Sequence, residues 1–439
     1  MGEPFASQGA TAGSIAFVDH LCMLVDANGG GDMRTVSDFL PVLRPKNFRW
    51  FFLSRSINTI GGMMTPVTIA FAVLHLDNSA SALGLVLGVE LGVNVIALLF
   101  GGVIADRLPR RAVMQICYLA MVAVQLTMAV SLWAGWATIA SMTVLGAIAG
   151  GVSAFSMPAN QGLIPQLVER EHLQQADSLM AFVRNGASFL GPILGTLLVV
   201  SVGPDLALAL DGASFLVAAV LLSRVVLPAP ARVVTSLFGH MREGWNEFIS
   251  RTWLWVIVLA FSVLNMIYMG AWIVVGPLVA KNTPTLGIQG WGVVLAAQAL
   301  GMLVMSIVLL RVRIHRVLLV GMGAISVISI PLVLLGVHPQ TTVLAVAAFV
   351  GGCGSQAFST GWAVAMMEQI PGDALSRVSS YDLVGSYVAL PIGTIAFGLL
   401  ATRVAIPPLM ITVGCIYAVV ALSTLLVPSV RNLTRLPSA

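Results

Sequence analysis

The stretch that decides the fold is Gly102-Val-Ile-Ala-Asp106-Arg107-Leu-Pro109-Arg110-Arg111. Before it a long apolar run begins at Ser81, with Glu90 as its only ionisable side chain. After it a second apolar run opens at Ala112. A turn this short, carrying three arginines and one aspartate between two membrane-length segments, belongs in water on the side of a membrane where positive charge accumulates.

Composition points the same way. Hydrophobic residues make up 58% of the chain and charged residues 9%, against about 25% charged in a soluble domain. The sequence therefore describes an integral membrane protein. A net charge of +4 gives no general affinity for nucleic acid. Cys22, Cys117, Cys353 and Cys415 lack the spacing of a metal site or redox pair, and read as small apolar packing residues. No GxxxxGK[ST], HExxH or GxSxG pattern occurs. Neither metal nor cofactor is expected, so energy for any work comes from a gradient or a partner, or the protein is passive.

Twelve stretches have the ~20-residue length that crosses ~30 Å of hydrocarbon at ~1.5 Å per residue. Their limits are near 49–75, 81–104, 112–134, 137–160, 177–202, 206–227, 253–280, 290–310, 317–337, 341–366, 379–402 and 406–427. With the N-terminus inside, of the 22 Lys and Arg only Lys281 and Arg403 fall in outer segments, and only Arg55 and Arg184 lie well inside spans. That asymmetry predicts twelve spans in a cell membrane with both termini cytoplasmic. Residues 1–45 read as a flexible cytoplasmic tail, with Met33 as an alternative start, and 429–439 as a second tail. Residues 46–227 and 253–428 then form two six-span units joined by a linker over 228–252. There Leu237, Met241, Trp245 and Phe248 recur at helical spacing, as in an amphipathic helix on the inner leaflet.

The two units echo each other. Gln166-Leu-Val-Glu-Arg-Glu-His-Leu173, then Gly191-Pro192, is answered by Gln369-Ile-Pro-Gly-Asp-Ala-Leu375, then Leu390-Pro391. Such a repeat predicts two pseudo-symmetric six-helix bundles.

The opening stretch resembles the signature loop between helices 2 and 3 of the major facilitator superfamily, Gly-x-x-x-Asp-Arg-x-Gly-Arg-Arg, with Pro109 in place of the second glycine. The resemblance implies a transporter of small solutes with an all-α, twelve-helix fold. It also implies an inner latch of Gly102, Asp106, Arg107, Arg110 and Arg111, in which Asp106 sits by the N-terminus of helix 11 and Arg110 pairs with it. Asp382, in span 11 and facing that loop, joins the latch as a gating candidate. Gly102 shares a helix stripe with Gly84 and Gly88, a face suited to close contact.

Span 5 carries Gly191-Pro192-Ile-Leu-Gly195, which resembles the antiporter motif of exporters in the superfamily; a simple kink is the alternative. Ionisable residues well inside the spans are Arg55, Glu90, Arg184, Asp211 and Asp382, and each needs a partner or a wet cavity. Glu90, at mid-span with Asn94 one turn away, is either a proton-coupling carboxyl or a structural hydrogen-bonding group. Arg55 and Arg184 read as snorkelling side chains, and Asp211 as a cap or pair near the outer ends. The resemblance also implies a cavity lined by spans 1, 4, 7 and 10, which here draws on Asn58, Met63, Phe155, Asn160, Asn265, Tyr268, Trp272, Gln356 and Trp362, walls that suit bulky apolar solutes.

Met157-Pro158-Ala159-Asn160, Gly191-Pro192 and Asp211-Gly-Ala-Ser-Phe215 together resemble the macrolide and siderophore exporter branch of the drug:proton antiporters. The resemblance implies a monomeric, proton-driven exporter of a hydrophobic small molecule, with the lipid bilayer and protons as its other partners. An importer of a nutrient or metabolite is the alternative within transport. An enzyme is disfavoured, because the six histidines are dispersed and lie mostly at loops.

Overall fold

The computed structural model describes residues 43–105, 109–161, 163–168, 173–226, 245–312 and 314–435. Among them, twelve helices are long and apolar enough to cross a membrane. We number these spans α1 Lys46–Leu76, α2 Ala80–Ala105, α3 Arg110–Trp133, α4 Ile139–Gln161, α5 Leu173–Val202 and α6 Pro204–Ser223. The second set is α7 Thr252–Asn282, α8 Gly287–Arg311, α9 Val317–Val337, α10 Thr341–Gln369, α11 (two pieces, Gly372–Tyr387 and Leu390–Arg403) and α12 Ile406–Ser423. In hydrocarbon a helix satisfies its backbone groups within itself, so long apolar runs fold this way wherever the breakers are sparse. Connections are short. Gly203, at φ 90°, makes the reversal between α5 and α6, a conformation that side chains rarely allow, and Pro204 starts the next helix.

The repeat read from the sequence is present in the packing. In the first half α1 lies on α5 and α6, α2 on α4, and α3 on α4 and α6. In the second half α7 lies on α11 and α12, α8 on α10, and α9 on α10 and α12, each pairing answering one in the first. The halves meet where α2 lies against α11 and α5 against α8. These are again equivalent pairs.

An even number of spans puts both described chain ends on one side, here called the terminus face. The halves are drawn together towards the far face. A side chain at Gly84 of α2 would collide with the Thr394 carbonyl of α11 and lie 3.1 Å from the Gly398 Cα. Asn78 donates to the Asn282 side-chain oxygen at 2.8 Å, and the Lys281 ammonium donates to the Leu74 carbonyl. Only the second piece of α11 lies on α2; the first piece rests on α7.

Two helices depart from the regular form. α11 was expected as one span over 379–402, but it starts at Gly372 and breaks at Val388 and Ala389. Pro391 cannot donate to the Tyr387 carbonyl, which accounts for the break. α7 widens into a π-helical turn at Tyr268–Val275, just before Pro277.

The expected N-terminal tail lies outside the described residues except at its end, as do Leu237 and Met241 of the linker. Trp245 and Phe248 are described, and their rings lie 5.4 and 6.0 Å from that of Tyr381 on α11. Phe248 is buried. The end of the linker therefore packs on the second bundle, while Trp245 and Ile249 keep an exposed apolar side.

Candidate functional site

A cavity of about 480 Å³ lies within the second half, enclosed by α7 to α12. Its wall is aromatic because α10 carries Phe358 and Trp362 one turn apart and α7 sets Phe261 beside them. The Phe261 and Phe358 rings stack at 4.1 Å, and those of Phe358 and Trp362 lie 6.1 Å apart. Polar groups are few and mostly engaged. Asn265 donates to the Ser386 carbonyl at 3.1 Å. Gln298 donates its amide to the Tyr268 hydroxyl at 3.0 Å. Asp382 accepts from the Trp362 indole at 3.0 Å and from the Ser386 hydroxyl at 3.2 Å.

Of the residues predicted to line a cavity, Asn265, Tyr268 and Trp362 do so here. Trp272 does not. It is buried with its ring 4.8 Å from that of Trp291, in the π-helical turn. Gln356 donates to the Thr360 hydroxyl at 3.2 Å, on α10 but away from the cavity. Asp382, the gating candidate, lines this cavity, because its turn of α11 packs on α7.

In the first half, Glu90 is half-buried on α2. Its backbone carbonyl rests on Gly150 of α4, where any side chain would collide with it. The Gln298 carbonyl of α8 rests on Gly352 of α10 in the same way. The repeat thus makes Glu90 and Gln298 counterparts, one an acid and the other an amide. Gly195 of α5 rests on the Met64 carbonyl and Gly393 of α11 on the Met266 carbonyl, so Tyr268 of α7 answers to Pro66 of α1, which has no hydroxyl to offer. The ring that engages Gln298 therefore has no counterpart beside Glu90. Among the described residues the Glu90 carboxyl has no hydrogen-bond partner. Asn94 is not one: it donates to the Gly150 carbonyl and the Ser153 hydroxyl, both at 2.9 Å, clamping α2 to α4.

The other first-half candidates have the following surroundings. Asn58 is buried and accepts from Arg55 at 2.9 Å. Met63 packs on Gly191, and Phe155 is half-buried against the first-half core. The side chain of Asn160 lies outside the described residues, as does that of Gly102's stretch of α2. Asp106 and Arg107 of the hairpin also fall outside them. Arg110 opens α3, and Arg111 donates to the Ser223 carbonyl at 2.7 Å, tying α3 to the end of α6.

The motif in α5 has a packing role. A side chain at Gly191 would press on the Met63 backbone at 2.9 Å, and one at Gly195 on the Met64 carbonyl at 3.0 Å. The Pro192 carbonyl accepts from Thr196 at 2.6 Å, and the Thr196 side chain fills the space over Gly292 of α8. Three consecutive features of α5 thereby hold α1 on one side and the other half on the next. Arg184, expected to snorkel, is exposed on the α5 face that carries Ser188, Gly191 and Gly195, away from the outward-turned Phe182 and Leu197.

Asp211 needs correction too. It is 2% exposed and is no helix cap: it accepts from Thr65 of α1 and Gln125 of α3, both at 2.7 Å. Sequence reasoning missed Phe261, Gln298 and Tyr417 in the second-half wall. Gln298 alone left a signal, as an isolated amide at the middle of an apolar span.

A family model described as Major Facilitator Superfamily matches residues 51–337. An uncharacterized MFS-type transporter of Sinorhizobium fredii, y4rN, is 23% identical over 387 residues, covering 86% of this chain and 93% of that one. The enterobactin exporter EntS of Shigella boydii is 25% identical over 225 residues, 50% of this chain and 53% of that protein, so the match spans about half of the exporter. The nucleoside transporter NupG has a similar structure, with a TM-score of 0.67 over 86% of this chain and 98% of that one at 14% identity.

Proposed function

The chain belongs to the Major Facilitator Superfamily, a multi-pass membrane transporter family, and from that premise we propose that it exports a hydrophobic small molecule across the cell membrane in exchange for protons. Both termini lie in the cytoplasm in this reading, which the distribution of Lys and Arg supports. The halves rock about the α2–α11 and α5–α8 contacts by alternating access. With the far face tied by Asn78–Asn282 and Lys281–Leu74, this arrangement is the one that admits cargo from the cytoplasm. The export direction draws support from the partial likeness to EntS and from the Gly191-Pro192 motif.

One observation carries the coupling: among the described residues the Glu90 carboxyl at membrane depth has no hydrogen-bond partner, while its counterpart in the repeat, Gln298, is a neutral amide satisfied by Tyr268. An uncompensated charge at that depth is costly, so an acid retained there points to a function. Loading and releasing a proton there gives the two conformations different charge. Asp106 and Arg110 close the cytoplasmic mouth in the opposite state. Efflux into everted vesicles tests the reading. Uptake that collapses when a protonophore dissipates the gradient is expected; uptake indifferent to it removes the coupling.

A further inference from the structure

Asp382 is the one acidic side chain in the wall of the second-half cavity, and none of the residues that line it is Lys, Arg or His. Its carboxylate is held by two neutral donors, the Trp362 indole and the Ser386 hydroxyl. A carboxylate has about four lone-pair positions, so acceptor capacity remains after those two bonds, and no cation among the lining residues neutralises the charge. Around it stand Phe261, Phe358 and Trp362 as a continuous stack, with Tyr268 and Tyr387 completing the wall. Asn265 gives one of its two amide hydrogens to the Ser386 carbonyl, and its oxygen is a second acceptor. The volume of about 480 Å³ suits one drug-sized molecule.

We infer that this cavity binds an organic cation, an aromatic or aliphatic body carrying one positive charge, with the charge seated against Asp382 and the face of Trp362. The attraction has two parts that act at one point. The fixed carboxylate supplies an opposite charge in a poorly hydrated wall, and the indole and phenyl faces supply the cation–π term that is strongest over tryptophan. The Trp362–Asp382 bond orients both groups, so the ring cannot turn away from the carboxylate. An anion of the same shape is excluded by the same charge. The cargo charge and the exchanged proton then use different carboxyls, Asp382 in one half and Glu90 in the other. This inference rests on the transport reading only in naming the bound molecule as cargo; binding is measured without it.

The test is binding to the purified full-length protein in detergent of tetraphenylphosphonium and tetraphenylborate, probes of like shape and opposite charge, read by quenching of tryptophan fluorescence and by calorimetry. Tetraphenylphosphonium should bind roughly ten- to thirty-fold more tightly, although the net charge of +4 favours the anion. D382N should remove that preference while leaving neutral triphenylphosphine oxide unaffected, and D382E should keep it. Equal binding of the two ions by the unaltered protein, or a preference that survives D382N, overturns the inference. If D382N does not fold, the comparison of the two ions on the unaltered protein and on D382E decides. Preferential cation binding without vesicle transport would instead count against the transport reading and leave the site standing.

Discussion

Glu90 and Gln298 hold equivalent places in the two halves, each with its backbone carbonyl seated on a glycine of the neighbouring helix, Gly150 in one case and Gly352 in the other. The main chain repeats while the side chains diverge. That divergence makes the coupling claim testable by making the halves alike.

E90Q gives the first half the group that the second half carries. Proton-driven efflux in proteoliposomes should fall at least ten-fold, the usual order of loss when a proton-transferring group is removed being about 10²–10⁴. Exchange of labelled for unlabelled cargo, with no gradient, should persist. Loss of both activities together would show that Glu90 serves the fold and not the coupling.

Asn78 and Asn282 meet across the far face at 2.8 Å. The pair N78C and N282C, introduced with the four native cysteines replaced, should form a disulfide under mild oxidation and hold that face shut. Transport is expected to stop on oxidation and to recover on reduction. Full activity in the oxidised form would mean that this face need not open.

Gly191 allows α5 to lie directly on the Met63 backbone. G191L overfills that crossing, at a cost of about 1–3 kcal/mol. The thermal midpoint in detergent should drop and the yield of folded protein should fall. G186L is the control, since nothing lies within 4 Å of a side chain there.

D211A removes the acceptor shared by Thr65 and Gln125. Hydrogen bonds between membrane helices average about 0.6 kcal/mol, and a buried donor left without a partner adds about 1–3 kcal/mol. Thermal unfolding should come earlier than for E90Q, whose carboxyl holds no such bonds. Equal midpoints for the two variants would contradict the role given to Asp211 in joining α1, α3 and α6.

Hydropathy carried most of the fold: the span limits around α1, α9 and α10 were readable because apolar length alone decides them. The two-half repeat was legible from short echoes such as Gly191-Pro192 and Leu390-Pro391. The site was harder. Phe358 and Trp362 read alike whether they face a cavity or a neighbouring helix, since spacing gives a face but not what lies opposite. Asp211 looked peripheral by its distance along α6, yet α1 and α3 cover it. Its burial is a property of three helices at once. The π-helical turn of α7 left no mark beyond Pro277, and it is what turns Trp272 into the core.

The break in α11 divides one helix between two duties. Leu390–Arg403 is fixed to α2 at the fulcrum, while Gly372–Tyr387 carries Asp382 and borders the chamber. Exchanging residues on the lower piece can retune which molecules are accepted without touching the pivot. Chamber wall and inter-half contact are thus carried on separate pieces of one helix, each open to substitution without the other.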